Sequence, residues 1–305
     1  MKAGTVFGSI CGAMTGICWG VSSVFGQFLF ETRDVHPLWI VAIRLSIAGV
    51  LLWIFAFLTN RESLMALFHN KRDFIQAIIC GIAGTMMFQL SSFYAVQTSN
   101  AGTATVLQYL APVMIIVYVC LRTKAAPKKA EVLSIVLAVA GVFLISTHCD
   151  IGSLAMTPKG LFWGMMLAVF MSVNTVLPER LYKKYPTTVV IAWAFPFGGA
   201  AMMAIARPWH FNVQWDGAVW FSMFFIVIVG SVAAYLFYAQ AIKRVGPTRS
   251  SLFASSEPVT ATLMSALWLK TDFTYMDLIG FVLILSTLFI LNAGKGSSNT
   301  PASRD

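Results

Sequence analysis

The sequence predicts an all-α integral membrane protein with ten transmembrane helices, arranged as two inverted five-helix repeats. Three observations lead to this fold class. The chain of 305 residues is 58% hydrophobic and only 11% charged, a balance that a soluble core of this size could not hide. Ten apolar segments are long enough to cross a bilayer, and a pattern of residues recurs at a spacing of 146 positions.

The apolar segments set the helix count. A spanning helix needs about 20 mostly apolar residues for a hydrocarbon core of about 30 Å. Ten segments meet this need, near 5–30, 37–59, 74–96, 101–120, 130–147, 157–177, 187–206, 217–240, 247–268 and 275–293. The links at 97–100 and 241–246 are so short that the helices they join must be antiparallel neighbours. The tail at 294–305 is rich in Ser, Gly and Lys, and we expect it to be disordered.

The basic residues predict the orientation. With ten spans, sixteen of the 21 Lys and Arg residues fall on one side and four on the other, and Arg44 lies inside a span. Because short cytoplasmic loops collect Lys and Arg, both termini are expected in the cytoplasm of a multi-pass cell-membrane protein. The net charge of +9 therefore does not indicate nucleic-acid binding, since the basic residues sit in loops between apolar runs.

The internal repeat predicts the domain organisation. The matches at 146 residues pair Gly84-Thr85 with Gly230-Ser231, Pro112-Val113 with Pro258-Val259, and Glu131 with Asp277. Chance apolar similarity is the alternative, but the proline and acidic positions match in one register. Two copies of five spans, 5–147 and 157–293, must have opposite orientations because five is odd. Many secondary transporters use such inverted repeats, with the substrate near the midplane.

Glu257 is the strongest candidate for a functional residue. It lies near the middle of the ninth span, where a charge costs about 2.5–3.5 kcal/mol and usually faces a cavity or a partner. A proton- or cation-binding carboxylate is one interpretation. The other is structural: the acid hydrogen-bonds the backbone near the Pro258 kink or pairs with Arg44. Pro258 and its counterpart Pro112 remove a backbone donor each, which predicts bending points for gating.

The remaining candidates are polar and aromatic residues within the spans. Arg44 could bind a substrate carboxylate with two hydrogen bonds, or extend outward, or pair with carbonyls or an acid. Buried amides and hydroxyls need partners that a hydrated cavity provides, although small polar residues also serve helix packing. An aromatic wall beside one carboxylate would suit an organic cation. The predicted substrate-binding residues are Glu257, Trp19, Gln108, Tyr109, Asn174, Tyr235, Gln89 and Arg44.

Several chemistries are not indicated. The five cysteines and four histidines are dispersed without metal-ligand spacing, so we expect no metal site and no disulfide framework. No nucleotide-binding loop is present, and no cofactor is expected. An intramembrane enzyme would need a nucleophile and base at one depth, whereas Glu257 has no such partner in the pattern. We therefore predict that the chain is not an enzyme.

Two segments resemble a known family. The stretch from Tyr235-Leu236-Phe237-Tyr238-Ala239 through Glu257-Pro258-Val259 is similar to the second-half signature of EamA-type transporters, of the drug/metabolite transporter superfamily. Phe93-Tyr94-Ala95 through Ala111-Pro112-Val113 resembles the first-half signature. Trp19-Gly20 and Arg44 also sit where that family often has them. The resemblance spans residues 6 to 293, and it implies ten helices, two EamA repeats and a secondary carrier of small metabolites.

The combined expectation is a secondary transporter that works by alternating access on an amino-acid-like compound or an amine, with export favoured by the resemblance. The expected partners are a small-molecule substrate, the lipid bilayer and a coupling proton or cation, and the protein is expected as a monomer or homodimer. An uptake carrier for an organic cation such as a quaternary amine remains an alternative. A membrane scaffold or sensor without transport activity is a further one, and it predicts a dry, packed centre.

Overall fold

A computed structural model describes residues 3–124, 126–149 and 155–296, and these residues form helices and loops without any strand. The helices are α1 Ala3–Arg33, α2 Pro37–His69, α3 Lys71–Ile79, α4 Met87–Thr98, α5 Ala101–Leu107, α6 Ala111–Thr123, α7 Lys129–Thr147, α8 Pro158–Val176, α9 Glu179–Tyr182, α10 Thr187–Ala206, α11 Gly217–Phe224, α12 Ala234–Val245, α13 Pro247–Ala254, α14 Ser256–Trp268 and α15 Tyr275–Gly296. Two π-helical segments, Cys80–Met86 and Phe225–Ala233, join α3 to α4 and α11 to α12.

Eight continuous helical segments of the described chain are long and apolar enough to cross a membrane. They run from Gly4–Arg33 to Gly217–Val245 and correspond to the first eight predicted spans. The ninth predicted span is divided at Ser255 into α13 and α14, and the tenth corresponds to α15. Helix α15 continues to Gly296, so the first three residues of the predicted tail are helical. The rest of that tail lies outside the described residues.

The second predicted span extends further than its apolar run. We expected it to end at residue 59, whereas α2 continues to His69. Asn60 has non-helical dihedrals (φ −142°, ψ 40°), so the helix bends where the apolar run ends. The added turns bury Leu64 and Leu67, which explains why they remain attached to the bundle.

Both helix breaks fall one turn before a proline. Pro112 cannot donate to the carbonyl of Gln108, and a 3₁₀ segment at Gln108–Leu110 precedes it. There the N–H of Ala111 donates to the Gln108 carbonyl instead. Pro258 cannot donate to Ala254, and the chain turns at Ser255 between α13 and α14. Each helix is therefore interrupted one turn before the proline, where the missing N–H of that proline leaves a carbonyl without its helical donor.

The irregular features recur at the spacing found in the sequence. Adding 146 to the first π-helical segment gives residues 226–232, which lie inside the second one. Adding 146 to Gln108–Leu110 gives 254–256, the second break. The acids that match at this spacing also have the same local role. Glu131 accepts from the N–H of Lys128 at the start of α7, and Asp277 accepts from the N–H of Thr274 at the start of α15.

The helices pack in two central groups and two lateral pairs. Helix α1 packs against α12, α13 and α14, while α8 packs against α4, α5 and α6. Helix α2 packs against α10, and α7 packs against α15. Glycines allow the close approach between α2 and α10: Gly49 faces the backbone of Phe195-Pro196, and Gly199 faces that of Leu45-Ser46. Added Cβ atoms there would collide with main-chain atoms.

The bundle has two ends, face A and face B, where its helices are linked. Face A holds the links His69–Lys71 and Val245–Pro247, and face B holds the links Arg33–Pro37 and Thr98–Ala101. At face A, Gly246 has φ +81°, a backbone conformation that residues other than glycine rarely adopt. At face B, Asn100 caps α5 by accepting from the N–H of Thr103 at 2.8 Å.

Candidate functional site

Glu257 lies in the first turn of α14, immediately after the second helix break, and its side chain is buried. The carboxyl group interacts with the side chains of Gln108 and Tyr109 in the first break. The positive charge of Arg44 also attracts this carboxylate, but the hydrogen bonds of the guanidinium go to Ser231 and Gly230. The two breaks therefore meet at the centre of the bundle and surround one carboxylate with an amide and a phenol.

The phenol of Tyr109 also completes the backbone of the second break. Its hydroxyl donates to the carbonyl oxygen of Ala254 at 3.1 Å. That carbonyl is the acceptor that Pro258 leaves without its helical donor. An unpaired carbonyl in a water-poor interior would be costly, so Tyr109 stabilises the interruption that presents Glu257.

Arg44, on α2, is buried and bound to the second π-helical segment. Its Nε donates to Ser231 Oγ at 2.7 Å, and Nη2 donates to the carbonyl of Gly230 at 3.0 Å. Its guanidinium also lies 5.3 Å from the ring centroid of Phe93. Of the interpretations that the sequence left open, pairing with a carbonyl is the one observed.

An aromatic cluster lies next to this charged centre. Trp19 of α1 contacts Tyr235 edge-on at 5.5 Å and Tyr238 at 5.6 Å between ring centroids. Tyr235 contacts Phe195 at 5.1 Å, and it is within electrostatic range of both Arg44 and Glu257. The predicted residues Trp19 and Tyr235 are therefore brought together, beside the carboxylate.

A narrow cavity continues from Tyr235 toward face A. Its volume is about 20 Å³, which is enough for one or two water molecules. The lining residues are Cys80, Thr85, Asn174, Pro178, Tyr182, Val190, Ile191, Ala194, Phe195 and Tyr235. On its wall, the hydroxyl of Thr85 donates to Asn174 Oδ1 at 3.2 Å. Of the candidate substrate-binding residues, Asn174 thus lines the cavity, whereas Gln89 is buried on α4 and is not among the lining residues.

Toward face B the bundle is closed by Gln27, which is buried on α1. Its Nε2 donates to Glu31 Oε1 at 2.7 Å and to Thr271 Oγ1 at 2.9 Å. Its Oε1 accepts from the N–H of Ala101 at 2.9 Å and from Ser265 Oγ at 3.0 Å. All four bonding positions of the amide are used, and they join α1 to the start of α5 and the end of α14.

Two stretches of the chain, together covering nearly its whole length, match a known family. The model of the EamA-like transporter family matches residues 6–147 and again residues 158–293. The chain belongs to the EamA-like transporter family. It is similar to the uncharacterized inner membrane transporter YicL of Salmonella typhimurium, at 29% identity over 92% of this chain and 93% of that protein. It is also similar to the uncharacterized transporter YetK of Bacillus subtilis, at 24% identity over 89% and 82%.

A solved structure shares the fold of this EamA-like chain. One crystal structure superposes with a TM-score of 0.65 at 19% identity, over 96% of this chain and 99% of the other. The relatives are named as transporters, and the described chain contains eight helices that are long and apolar enough to span a membrane. The protein is therefore a multi-pass membrane transporter. Within the described residues, no group of three His, Cys, Asp or Glu side chains could hold a metal ion.

Sequence reasoning missed three residues in and around the candidate site of this EamA-like chain. Tyr238 follows Tyr235 by three positions, so helical spacing could have placed both on one face. Gln27 lies in the first apolar span, where a lone amide is itself a signal of a buried polar contact. Tyr182 lies in a basic stretch that is typical of a loop, and no local pattern predicts that it reaches the cavity.

Proposed function

We propose that this protein is a secondary active transporter that moves a small amine or amino-acid-like metabolite across the cytoplasmic membrane by alternating access. One observation carries the proposal: Glu257 is buried where two interrupted helices meet, beside aromatic rings that adjoin a cavity. An ammonium group and a proton are the two cations that such a carboxylate can bind in turn. The rings of Trp19 and Tyr235 would stabilise an organic cation through their π faces.

The internal repeat supports alternating access. We propose ten spans in two inverted halves of five, because matching breaks and π-helical segments recur at 146 residues. Matching contacts recur as well. Gly12 on α1 faces Phe253, and Gly164 on α8 faces Leu107, which precedes Phe253 by 146. Two halves with equivalent contacts can exchange roles across the midplane, which is the basis of alternating access in inverted-repeat carriers.

The proposed orientation places face A and both termini in the cytoplasm. The excess of Lys and Arg at the face A links supports this. In the described conformation, the small cavity beside Tyr235 would then lie toward the cytoplasm, and the four bonds of Gln27 would lie toward the outside. A substrate would enter from the cytoplasm and leave outside after the halves rearrange. We therefore propose export, with Pro112 and Pro258 at the bending points.

The roles within the site follow from the contacts. Glu257 binds the substrate ammonium or a proton, and Gln108 and Tyr109 hold the carboxylate in place. Arg44 maintains the π-helical segment beside it rather than contacting the substrate directly. Asn174 provides an amide on the wall of the cavity. The mechanism requires a lipid bilayer and a proton gradient but no cofactor, and a monomer contains both halves.

Proteoliposomes test the proposal. Three purified proteins would be assayed with a panel of labelled amines and amino acids: wild type, Glu257→Gln and the control Glu62→Gln. Glu62 is an exposed glutamate on α2. We expect wild type and the control to exchange at least one compound for protons, detected with an enclosed pH dye. Glu257→Gln should lose this exchange while its melting temperature stays within a few degrees. Undiminished exchange by Glu257→Gln would refute the coupling role of the carboxylate.

A further inference from the structure

The short helix α9 directs its side chains into three different environments. Leu181 is fully buried against Val189 and Val190 of α10. Arg180 binds Asp73 at the start of α3, with Nη2 2.9 Å from Oδ1. Tyr182 lines the cavity beside Tyr235. Since a four-residue helix has little stability of its own, these contacts fix how it is oriented.

Asp73 holds α9 from both sides of Tyr182. Its carboxylate is fully buried, and it accepts from Arg180 before Tyr182 and from Lys184 and Tyr185 after it. The distances are 3.1 Å to Lys184 Nζ and 3.0 Å to the Tyr185 hydroxyl. Hydrogen bonds between ionised groups are stronger than neutral ones, and a buried acceptor with three donors leaves little freedom to the segment. The orientation of Tyr182 therefore depends on Asp73.

Tyr182 occupies the end of the cavity nearest face A. The residue is 42% exposed, and it shares the wall of the cavity with Tyr235. Tyr235 packs in turn against Trp19, whose ring also contacts Tyr238. Tyr182 thus lies at one end of a cavity whose other side adjoins the aromatic rings beside Glu257.

We propose that Tyr182 determines the substrate specificity of this site, and that Asp73 is the positioning residue that aims it. The inference rests on the proposed function. A substrate whose ammonium group is bound at Glu257 would place its apolar end among Tyr235, Tyr238 and Tyr182. Aromatic contacts favour a flat ring over a short alkyl chain. The structure thus assigns a preference for amines that carry an aromatic ring.

Matched amines provide the probes. 2-Phenylethylamine and ethylamine carry the same primary ammonium group and differ in the ring. We expect wild type to bind and exchange 2-phenylethylamine with the lower KM. Tyr182→Ala should raise that KM about threefold to tenfold, which is the usual worth of an aromatic contact, and leave the KM for ethylamine within twofold. Tyr182→Phe should retain the preference, because the ring and not the hydroxyl makes the contact.

Asp73→Asn tests positioning. It should reduce the preference for 2-phenylethylamine, measured as the KM for ethylamine divided by the KM for 2-phenylethylamine, without abolishing exchange. A purely structural role would not produce this selective effect. The control is Tyr275→Ala, which removes an exposed tyrosine at the start of α15, far along the chain from the cavity. We expect it to keep the wild-type ratio.

The outcomes separate the two proposals when binding is measured alongside flux, by tryptophan fluorescence of the purified protein with each amine. If Tyr182→Ala keeps the wild-type ratio of the two KM values, the specificity role is wrong, and the proposal of transport is unaffected. Selective binding that depends on Tyr182 without any flux would support the specificity role and overturn transport. Equal affinity of wild type for the two amines would overturn the inference directly.

Discussion

The hydroxyl of Tyr109 donates to the carbonyl of Ala254 across 3.1 Å, and this bond joins the two interrupted helices at their breaks. Tyr109 lies in the 3₁₀ segment before Pro112, and Ala254 ends α13 one turn before Pro258. A side chain in one half thus replaces the backbone donor that proline removes in the other. The interruption around Glu257 is therefore a shared structure of both segments.

Tyr109→Phe should destabilise the protein by about 0.6–1.7 kcal/mol, the range for hydrogen bonds between membrane helices, because the Ala254 carbonyl loses its donor. In a Pro258→Ala background, residue 258 regains an N–H that can reach this carbonyl. The same Tyr109→Phe change should then cost less. Melting temperatures of the four proteins in one detergent form the double-mutant cycle. Additive effects would contradict the proposed replacement of the donor.

Arg44→Lys should lower stability and leave substrate affinity unchanged. Lysine cannot reproduce the two-pronged contact with Ser231 and Gly230, so we expect a loss of about 1–3 kcal/mol and a melting temperature several degrees lower. The KM of any transported amine should stay within twofold. A tenfold rise in KM at an unchanged melting temperature would instead assign Arg44 to the substrate.

Gln27→Leu should weaken the closure at face B. The change removes all four bonds of the amide and leaves the N–H of Ala101 without its partner. Thr262 of α14, whose hydroxyl is shut off from solvent, serves as the reporter position through the substitution Thr262→Cys. The exposed Cys149 would first be replaced by serine. We expect the introduced thiol to react faster with an impermeant maleimide, added outside intact cells, when Gln27→Leu is present than when it is absent. Equal rates in the two proteins would contradict the prediction.

The carboxyl of Asp216, at the start of α11, should make the stability of the protein depend on pH. The N–H of Val219, 2.8 Å away, holds the pKa of this carboxyl below its usual range, and Arg33 adds to the effect. A lowered pKa means that the contribution to stability is complete above about pH 4 and is lost as the pH falls through the folded pKa. Asp216→Ala should lower the melting temperature at pH 7, and its difference from wild type should shrink toward pH 3. Asp216→Asn, which still caps the helix, should have the smaller effect at pH 7.

The sequence predicted features that arise from local chemistry. Pro112 and Pro258 determine the breaks because each removes a donor within its own turn. Glu257, Gln108 and Tyr109 could be assigned to one site because they occupy corresponding breaks in a repeat.

Features that depend on distant contacts could not be predicted. Arg44 is 187 positions from Ser231, and only the packed bundle shows that its guanidinium is engaged by the π-helical segment. Tyr182 reaches the cavity because Asp73, more than 100 positions earlier, holds the turns on both sides of it. The exact length of α2 likewise depends on burial of Leu64 and Leu67 rather than on an apolar run.

The isolation of Glu257 has an energetic consequence. Of the described acids with buried side chains, Asp73 and Asp277 lie at helix starts with hydrogen-bonded partners, and Glu257 alone lies at the helix breaks. If one carboxylate exchanges one proton for one ammonium ion, each cycle carries no net charge. An imposed voltage would then leave the steady-state amine ratio unchanged, whereas one unit of pH difference, about 1.4 kcal/mol, would shift it tenfold. Under the proposed exchange, a single acid at the helix breaks would therefore make the carrier responsive to acidity and indifferent to membrane potential.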